Sequence, residues 1–271
     1  MKVNQKVVLI TGASSGMGRT TALYLSKQGF MVYAGSRTPE KLFDIQSKNL
    51  HPIKLDITSL KNIEEAMAPL ENIDILINNA GYGLVSTVEE VTEEEMFTQF
   101  NINVFAVMRM CKVVIPKMRE QEDGLIINIS SFLGKIGLPL LTFYNASKYA
   151  VEGITDSLRY ELRDFNIRVH SIMPGFFDTN FARDNLVLNP KTFQEHSPYA
   201  SLVSKLAPVI VEQINAGNDT MEVAQMILEI IQDDNALARQ TAGDKAKKFI
   251  PMKKELSDED FERRVRAYYD L

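Results

Sequence analysis

Tyr144 and Lys148 stand four residues apart in Tyr-Asn-Ala-Ser-Lys, and Ser131 lies thirteen residues upstream. A phenol ionises near pKa ~10 and is a poor acid or base at neutral pH. A lysine four positions later on a helix shares its face, and its charge favours the phenolate. Lowering the pKa by roughly three units takes about 4 kcal/mol of differential stabilisation, within reach of an ammonium helped by a second cation. The expected chemistry is proton transfer by Tyr144. A pair at this spacing also arises as two side chains on a solvated helix face, so the surrounding motifs decide between the two.

Those side chains need a scaffold, and the chain supplies alternating β and α patterns. Short β-branched runs at Lys6–Ile10, Met31–Ser36, Pro52–Leu55, Asp74–Asn78, Leu125–Ile129 and Ile167–Ile172 read as strands, with a weaker seventh at Arg239–Gly243. Most are short and apolar, as in parallel sheets buried on both faces. Between them run helical patterns: one from Gly16–Met17 to Gly29, one opened by the capping box Thr92-x-x-Glu95, and one carrying Tyr144 and Lys148. The second carries Met96, Phe100, Val104, Val107, Cys111, Val114 and Met118 as one buried stripe. These are βαβ units of one domain. Residues 180–216 break the rhythm and read as a lid over a substrate, and a C-terminal extension starts near residue 245.

Two glycine turns sit where ligands bind such sheets. Thr11-Gly12-Ala13-Ser14-Ser15-Gly16-Met17-Gly18 joins the first strand to a helix. Glycines there allow close backbone approach to a pyrophosphate at the helix N-terminus. Asn78-Asn79-Ala80-Gly81 ends the fourth strand, at the carboxyl edge of the sheet. Asn79 reads either as a cleft residue or as a turn residue bonded to backbone.

In this order and spacing, Thr11-Gly12-x-x-x-Gly16-x-Gly18, Asn78-Asn79-Ala80-Gly81, Ser131, Tyr144-x-x-x-Lys148 and Pro174-Gly175-x-x-x-Thr179 resemble the short-chain dehydrogenases/reductases over roughly residues 5–245. The resemblance implies a Rossmann-like doubly wound parallel sheet of about seven strands with helices on both faces. It also implies a catalytic set of Asn103, Ser131, Tyr144 and Lys148. Tyr144 would be the general acid/base, Lys148 would bind the nicotinamide ribose, Ser131 would hold the substrate oxygen, and Asn103 would support a water relay. Asn103 is chosen over Asn101 because Val104-Phe105 follows it, although Ala106 stands where many members have glycine. Ser131 is chosen over Ser130 by the interval to Tyr144.

For the cofactor, the resemblance implies contacts from Gly12, Ser14, Ser15, Gly16, Met17, Gly18, Arg37, Asp56, Ile57, Asn79, Ala80, Gly81, Tyr144, Lys148, Pro174, Gly175 and Thr179. In NAD enzymes of this fold an acidic residue ends the second strand and binds both ribose hydroxyls. Here Ser36 holds that position and Arg37 follows, so a 2′-phosphate is accepted and NADP(H) is the expected cofactor. Arg37-Thr38-Pro39-Glu40-Lys41-Leu42, the length and the C-terminal extension resemble the branch with steroid and retinol dehydrogenases.

Composition narrows the remaining classes. The 271 residues are 45% hydrophobic and 24% charged, and 30 basic against 35 acidic residues give −5, which argues against a nucleic-acid partner. One cysteine, Cys111, excludes an internal disulfide, and His51, His170 and His196 show no metal-ligand spacing, so no metal is expected. Val7–Ile10 is too short for a secretory signal core and no stretch matches a membrane span, so a cytoplasmic protein is expected. The substrate is expected to be a small carbonyl or alcohol of apolar character, since Leu138, Leu140, Leu141, Phe143, Phe176, Phe177, Phe181 and Leu186 flank the motifs. The alternative function is a nucleotide-sensing regulator without catalysis. A membrane-surface role is a further rival, from the stripe Leu202, Leu206, Val209, Ile210 and Ile214. Phe105 and Met110 exceed one buried stripe, and the resemblance implies pairing through the helices of Asn103 and Tyr144, so a homodimer or homotetramer is expected.

Overall fold

The apolar runs pair into one parallel sheet in the computed structural model, which describes residues 5–43, 45, 47–179 and 185–271. In chain order its strands are β1 (Val7–Thr11), β2 (Met31–Ser36), β3 (Leu50–Lys54), β4 (Ile75–Asn78), β6 (Gly124–Ile129), β7 (Ile167–Pro174) and β9 (Arg239–Ala242). They lie in the order β3-β2-β1-β4-β6-β7-β9, so the expected seven-stranded doubly wound architecture is present. Two short strands absent from the sequence reading, β5 (Gly83–Val85) and β8 (Leu186–Leu188), form a separate parallel ladder. The third strand starts two residues earlier than expected and contains Pro52. Proline has no N–H for a ladder and is tolerated because β3 is an edge strand.

Alternation along the strands builds two cores. Val8, Ile10, Ile75, Ile77 and Ile127 face one side, against α1 (Gly16–Lys27) and α7 (Met221–Gln232). Leu9, Leu76, Ile126 and Val169 face the other. There they meet α2 (Leu60–Met67), α4 (Ala106–Gln121) and α5 (Thr142–Glu161). All five residues of β1 are buried, since helices cover both its faces.

The stripe expected as one helix is divided. The capping box is present, and Thr92 starts α3 (Glu93–Phe100). A π turn over Asn101–Phe105 then leads into α4. One extra residue per turn rotates the inward face. Val107, Cys111, Val114 and Met118 stay buried, but Met96 and Phe100 are only half-buried and Gln99 turns inward. The same rotation buries Met110 in the core, so Met110 is not surplus apolar surface.

A third cluster lies outside the sheet. It joins Phe132 and Phe176 to α6 (Ala200–Asn215), α8 (Asp244–Glu255) and α9 (Asp258–Tyr269). The C-terminal extension is therefore two helices that pack on the rest of the chain. Leu206, Ile210 and Ile214 of α6 are buried in this cluster, so that stripe is core and is not presented to a membrane. Of the expected lid, residues 180–184 lie outside the described residues, and so does Phe181. The following stretch is anchored: Asn189 Nδ2 donates to Glu95 Oε2 at 2.8 Å and Ser197 Oγ to Glu90 Oε1 at 2.7 Å. No helix of the described residues is long and apolar enough to cross a membrane.

Phe249 on α8 is 1% exposed and packs its ring against Phe132 at 6.4 Å and Tyr268 at 5.2 Å. Phe249→Ala is expected to cost about 3–5 kcal/mol in a denaturant titration. A variant within 1 kcal/mol of the parent would show that α8 is not part of the cooperative core.

Candidate active site

The sheet order reverses between β1 and β4, where the following segments leave to opposite faces and open a crevice. Thr11 and Asn79 join its two lips. Thr11 Oγ1 accepts the N–H groups of Asn79 and Ala80, each at 3.0 Å. Asn79 Nδ2 returns to the carbonyls of Thr11 at 2.9 Å and Gly12 at 3.3 Å. Its Nδ2 is thus spent on backbone, as its own N–H is on Thr11.

The glycine loop is built for close approach. Gly12 has φ 68°, and a methyl group there would come within 2.8 Å of Ala80 Cα. At Gly18 it would come within 2.4 Å of both Asn79 Nδ2 and Gly12 O. Ser15 caps α1 in an extended conformation without spending its hydroxyl on the helix.

A cleft of about 890 Å³ opens above this loop. It is lined by Gly12, Ser14, Ser15, Gly16, Met17 and Gly18 and, at the ends of β2 and β3, by Ser36, Arg37, Asp56 and Ile57. Asn79, Ala80 and Gly81 line it from the β4 turn, and Tyr144, Lys148 and Thr179 complete the expected set found there. Such a glycine-floored crevice, with serine, asparagine and arginine side chains among apolar walls, fits a dinucleotide. Asp56 Oδ1 accepts from Thr58 N–H and Oγ1, and chiefly for that reason its carboxyl is held below the usual range.

Ser131, Pro174 and Gly175 do not line that cleft. They line an adjoining pocket of about 80 Å³, to which Tyr144 and Thr179 also belong. Its other walls are apolar, including Leu133, Leu141, Phe176, Phe177, Leu186, Ile210 and Ile214. Phe176 and Phe177 are therefore pocket residues as well as core, whereas Leu138, Leu140 and Phe143 of the expected apolar set do not line it. Asn103 lines neither space. It is 1% exposed, its Nδ2 donates to Tyr82 O at 2.9 Å and Ser147 Oγ at 3.0 Å, and its Oδ1 accepts Tyr82 N–H at 3.1 Å. The side chain fixes the Tyr82 backbone against α5 and touches no cleft.

Ser131, just after β6, hydrogen-bonds Tyr144 in the first turns of α5. Lys148 Nζ donates to Ile129 O at 2.9 Å and lies 5.7 Å from the Tyr144 ring centre. Burial pushes the Tyr144 hydroxyl up to about 12, and the Ser131 hydrogen bond acts the other way. Burial likewise pushes Lys148 down to about 8, against the pull of the Glu152 charge. In place of the expected lowering of the tyrosine pKa by lysine, desolvation raises it, disfavouring both charged forms. At neutral pH the site holds a neutral phenol beside an ammonium.

Comparison with known proteins identifies the family. The model of the short chain dehydrogenases matches residues 6–186. The chain belongs to the short-chain dehydrogenase/reductase family. It is 36% identical, over 98% of both chains, to the 3-ketodihydrosphingosine reductase of Bacteroides thetaiotaomicron. Among solved structures, a short-chain dehydrogenase from Streptomyces avermitilis has a TM-score of 0.82 at 30% identity, covering 98% of this chain and 96% of its own. The closed form of a serine dehydrogenase complexed with NADP+ has a TM-score of 0.73 at 25% identity, covering 88% and 94%. This chain is accordingly an oxidoreductase of that family.

Several cleft residues of this short-chain dehydrogenase/reductase escaped the sequence reading. Lys41 lines the cleft beside Arg37 and Thr38. It lies in a segment noted only for its resemblance, and the turn at Pro39–Leu42 that brings it back is a one-turn feature. Tyr82, Thr98 and Asn185 also line it, from elements that the β5–β8 ladder arranges. Among the described residues no cluster of His, Cys, Asp or Glu is arranged to hold a metal.

The glycine contacts give a paired prediction. Gly18→Ala should destabilise by more than about 2 kcal/mol in urea, since backbone must move. Gly153→Ala, within α5 and with nothing within 4 Å of the added methyl, should be neutral or stabilise by roughly 0.5–1 kcal/mol. Equal effects would contradict the close approach of the loop to the β4 turn.

Proposed function

We propose that this enzyme is an NADP(H)-dependent reductase of an apolar ketone or aldehyde, with Tyr144 as the general acid. The observation that carries this is the Ser131–Tyr144 pair where the glycine-floored cleft meets the apolar pocket. A reduced nicotinamide held in the cleft would supply the hydride. N–H groups of the Gly12–Gly18 loop hold the pyrophosphate, Asp56 and Ile57 face the adenine, and the main chain of Asn79–Gly81 lines the ribose path. Lys148 holds the nicotinamide ribose, while Thr179 and the Pro174–Gly175 turn border the nicotinamide.

Ser131 Oγ positions the carbonyl oxygen, and Tyr144 gives it a proton as the carbon becomes tetrahedral. The Tyr144 hydroxyl, raised by desolvation, is protonated at neutral pH and so has a proton to give. The adjacent Lys148 ammonium stabilises the phenolate left behind. Asn103 supports this pair by fixing Tyr82 and Ser147. The apolar pocket takes the substrate's hydrocarbon, so 3-ketodihydrosphingosine, the compound in the relative's name, heads the panel of carbonyls to assay.

Tyr144→Phe keeps the ring and removes the proton, so turnover should fall by ~10²–10⁴ with cofactor affinity nearly unchanged. For the parent, kcat/KM for reduction should decline as pH rises through about 8, where the Lys148 ammonium is lost. A folded phenylalanine variant with near-normal turnover would reject Tyr144 as the acid.

The cofactor preference follows from Ser36, Arg37 and Lys41. Ser36 Oγ accepts Thr38 N–H at 3.0 Å, so a carboxylate at position 36 would take up that donor and meet a 2′-phosphate with like charge. We expect at least about a tenfold preference for NADP(H), or 1.4 kcal/mol. Arg37→Ala should erode it and Ser36→Asp reverse it. Equal kcat/KM with NAD(H) would overturn the assignment.

We further read the outer face of α3, α4 and α5 as the contact of a homodimer or homotetramer. Phe97 and Met108 are 62% and 42% exposed there, and Phe97 lies against the half-buried Phe105. Light scattering at micromolar concentration should give at least twice the 30.6 kDa of one chain. A monomer would refute it.

A further inference from the structure

We propose that Glu152 is a positioning residue of the reaction centre. Its buried carboxylate, clamped by Lys135 and Arg239, supplies the counter-charge of the Lys148 ammonium and ties the Ser131 loop to the helix of Tyr144. The proposal takes Tyr144 and Lys148 as the reacting pair, as above.

Glu152 lies one turn beyond Lys148 on α5 and is 3% exposed. Carboxylates are almost never buried that far without cations, because losing hydration costs several kcal/mol. Two cations meet this one, both at Oε2. Arg239 Nε, at the start of β9, donates to it at 2.6 Å, and Lys135 Nζ lies 3.3 Å away. Arg239 also pairs with Asp156, one turn further along α5. The second oxygen, Oε1, is buried with no hydrogen-bond partner. Lys135 and Arg239 mask the carboxylate only in part, because Arg239 is shared with Asp156, and in a low-dielectric interior Glu152 still acts on the next charge along the helix.

That charge is Lys148, whose pKa the Glu152 carboxylate pulls upward against desolvation. The groups facing Lys148 are Tyr144 and Glu152 from α5 and the Ile129 carbonyl from β6, so Glu152 is its anionic neighbour at neutral pH. The geometry of the loop agrees. A methyl group on Gly134 would come within 2.9 Å of Lys148 O and of Ser130 Oγ and 3.2 Å of Glu152 Cγ. The turn from Ser131 to Lys135 thus lies flush on the Lys148–Glu152 segment, and the Lys135 ion pair closes it. Removing the Glu152 charge frees that loop and weakens the lysine's hold on its proton.

The test is competitive acetylation of the full-length protein over a range of pH, with the Lys148 peptide quantified by mass spectrometry. Glu152→Gln should lower the Lys148 labelling midpoint by roughly half a pH unit or more, about threefold in its proton affinity. Lys135→Met, which removes a positive charge and unmasks the carboxylate, should raise it. A purely structural Glu152 would lower stability in both variants and leave the two midpoints unmoved or shifted in the same direction. Either of those results overturns the proposal. If Glu152→Gln does not fold, Lys135→Met decides alone, a rise supporting the role and no change or a fall refuting it. Labelling needs no turnover, so a parent protein without reductase activity would sink the proposed function and leave this result standing.

Discussion

A lysine ammonium sits in this protein at 5% exposure, and much of the site follows from the need to hold it there. Charge removed from water is costly unless it is hydrogen-bonded and balanced. The Ile129 carbonyl at the end of β6 provides the bond, and Glu152 provides the balance. Once Lys148 reaches that carbonyl, α5 is fixed in rotation against the sheet. Tyr144, one turn earlier on the same face, then meets Ser131, two residues beyond Ile129. Space for the ammonium is kept by Gly81, where a methyl group would stand 3.2 Å from Asn103 Oδ1 and 3.7 Å from Lys148 Nζ. Motifs far apart in the chain are thus satisfied by one buried charge.

The crevice in front of that charge comes from topology. Because the strand order reverses between β1 and β4, no crossover covers the gap between their carboxyl ends. Parallel strands leave unpaired polar groups at that edge, and Thr11 and Asn79 consume the ones the loops would strand. What remains free is backbone N–H at the start of α1, which suits an anionic group. Polar and apolar work are separated on the two sides of Tyr144. The larger space is floored by glycine and backbone, the smaller by side chains of the third hydrophobic cluster.

That third cluster explains why the C-terminal extension belongs to the site although none of its residues lines the small pocket. Phe249, Phe261, Val265 and Tyr269 cover Phe132, Phe176 and the buried face of α6, which do line it or stand beside it. Displacing α6 would uncover Leu206, Ile210 and Ile214, at about 1.5–3 kcal/mol each. The helix is a wall of the pocket held from behind.

Local features were legible in the sequence wherever their cause was local. Seven strands showed as β-branched runs, the Thr92–Glu95 cap as a hydrogen-bonding pattern, and the glycine loop as residues that alone permit positive φ at Gly12 and Gly16. Tyr144 and Lys148 could be paired because helix periodicity dictates which side chains share a face, whereas Ser131 was chosen by the interval to Tyr144 that the family resemblance implies. Other features depended on neighbours that periodicity does not specify. The π turn that buries Gln99 and Met110 is set by how α3 and α4 meet the Tyr82 backbone, and the β5–β8 ladder joins residues about a hundred positions apart. Lys41 entered the cleft through a single short turn. Asn103 braces the Tyr82 backbone and Ser147, and Asn79 lines the cleft while its Nδ2 holds the backbone of Thr11 and Gly12. Above all, the sequence determined which groups can ionise, while the tertiary structure decided how readily they do so. Desolvation and a counter-charge on β9 and α5 act through space, and no spacing in the chain encodes their strength.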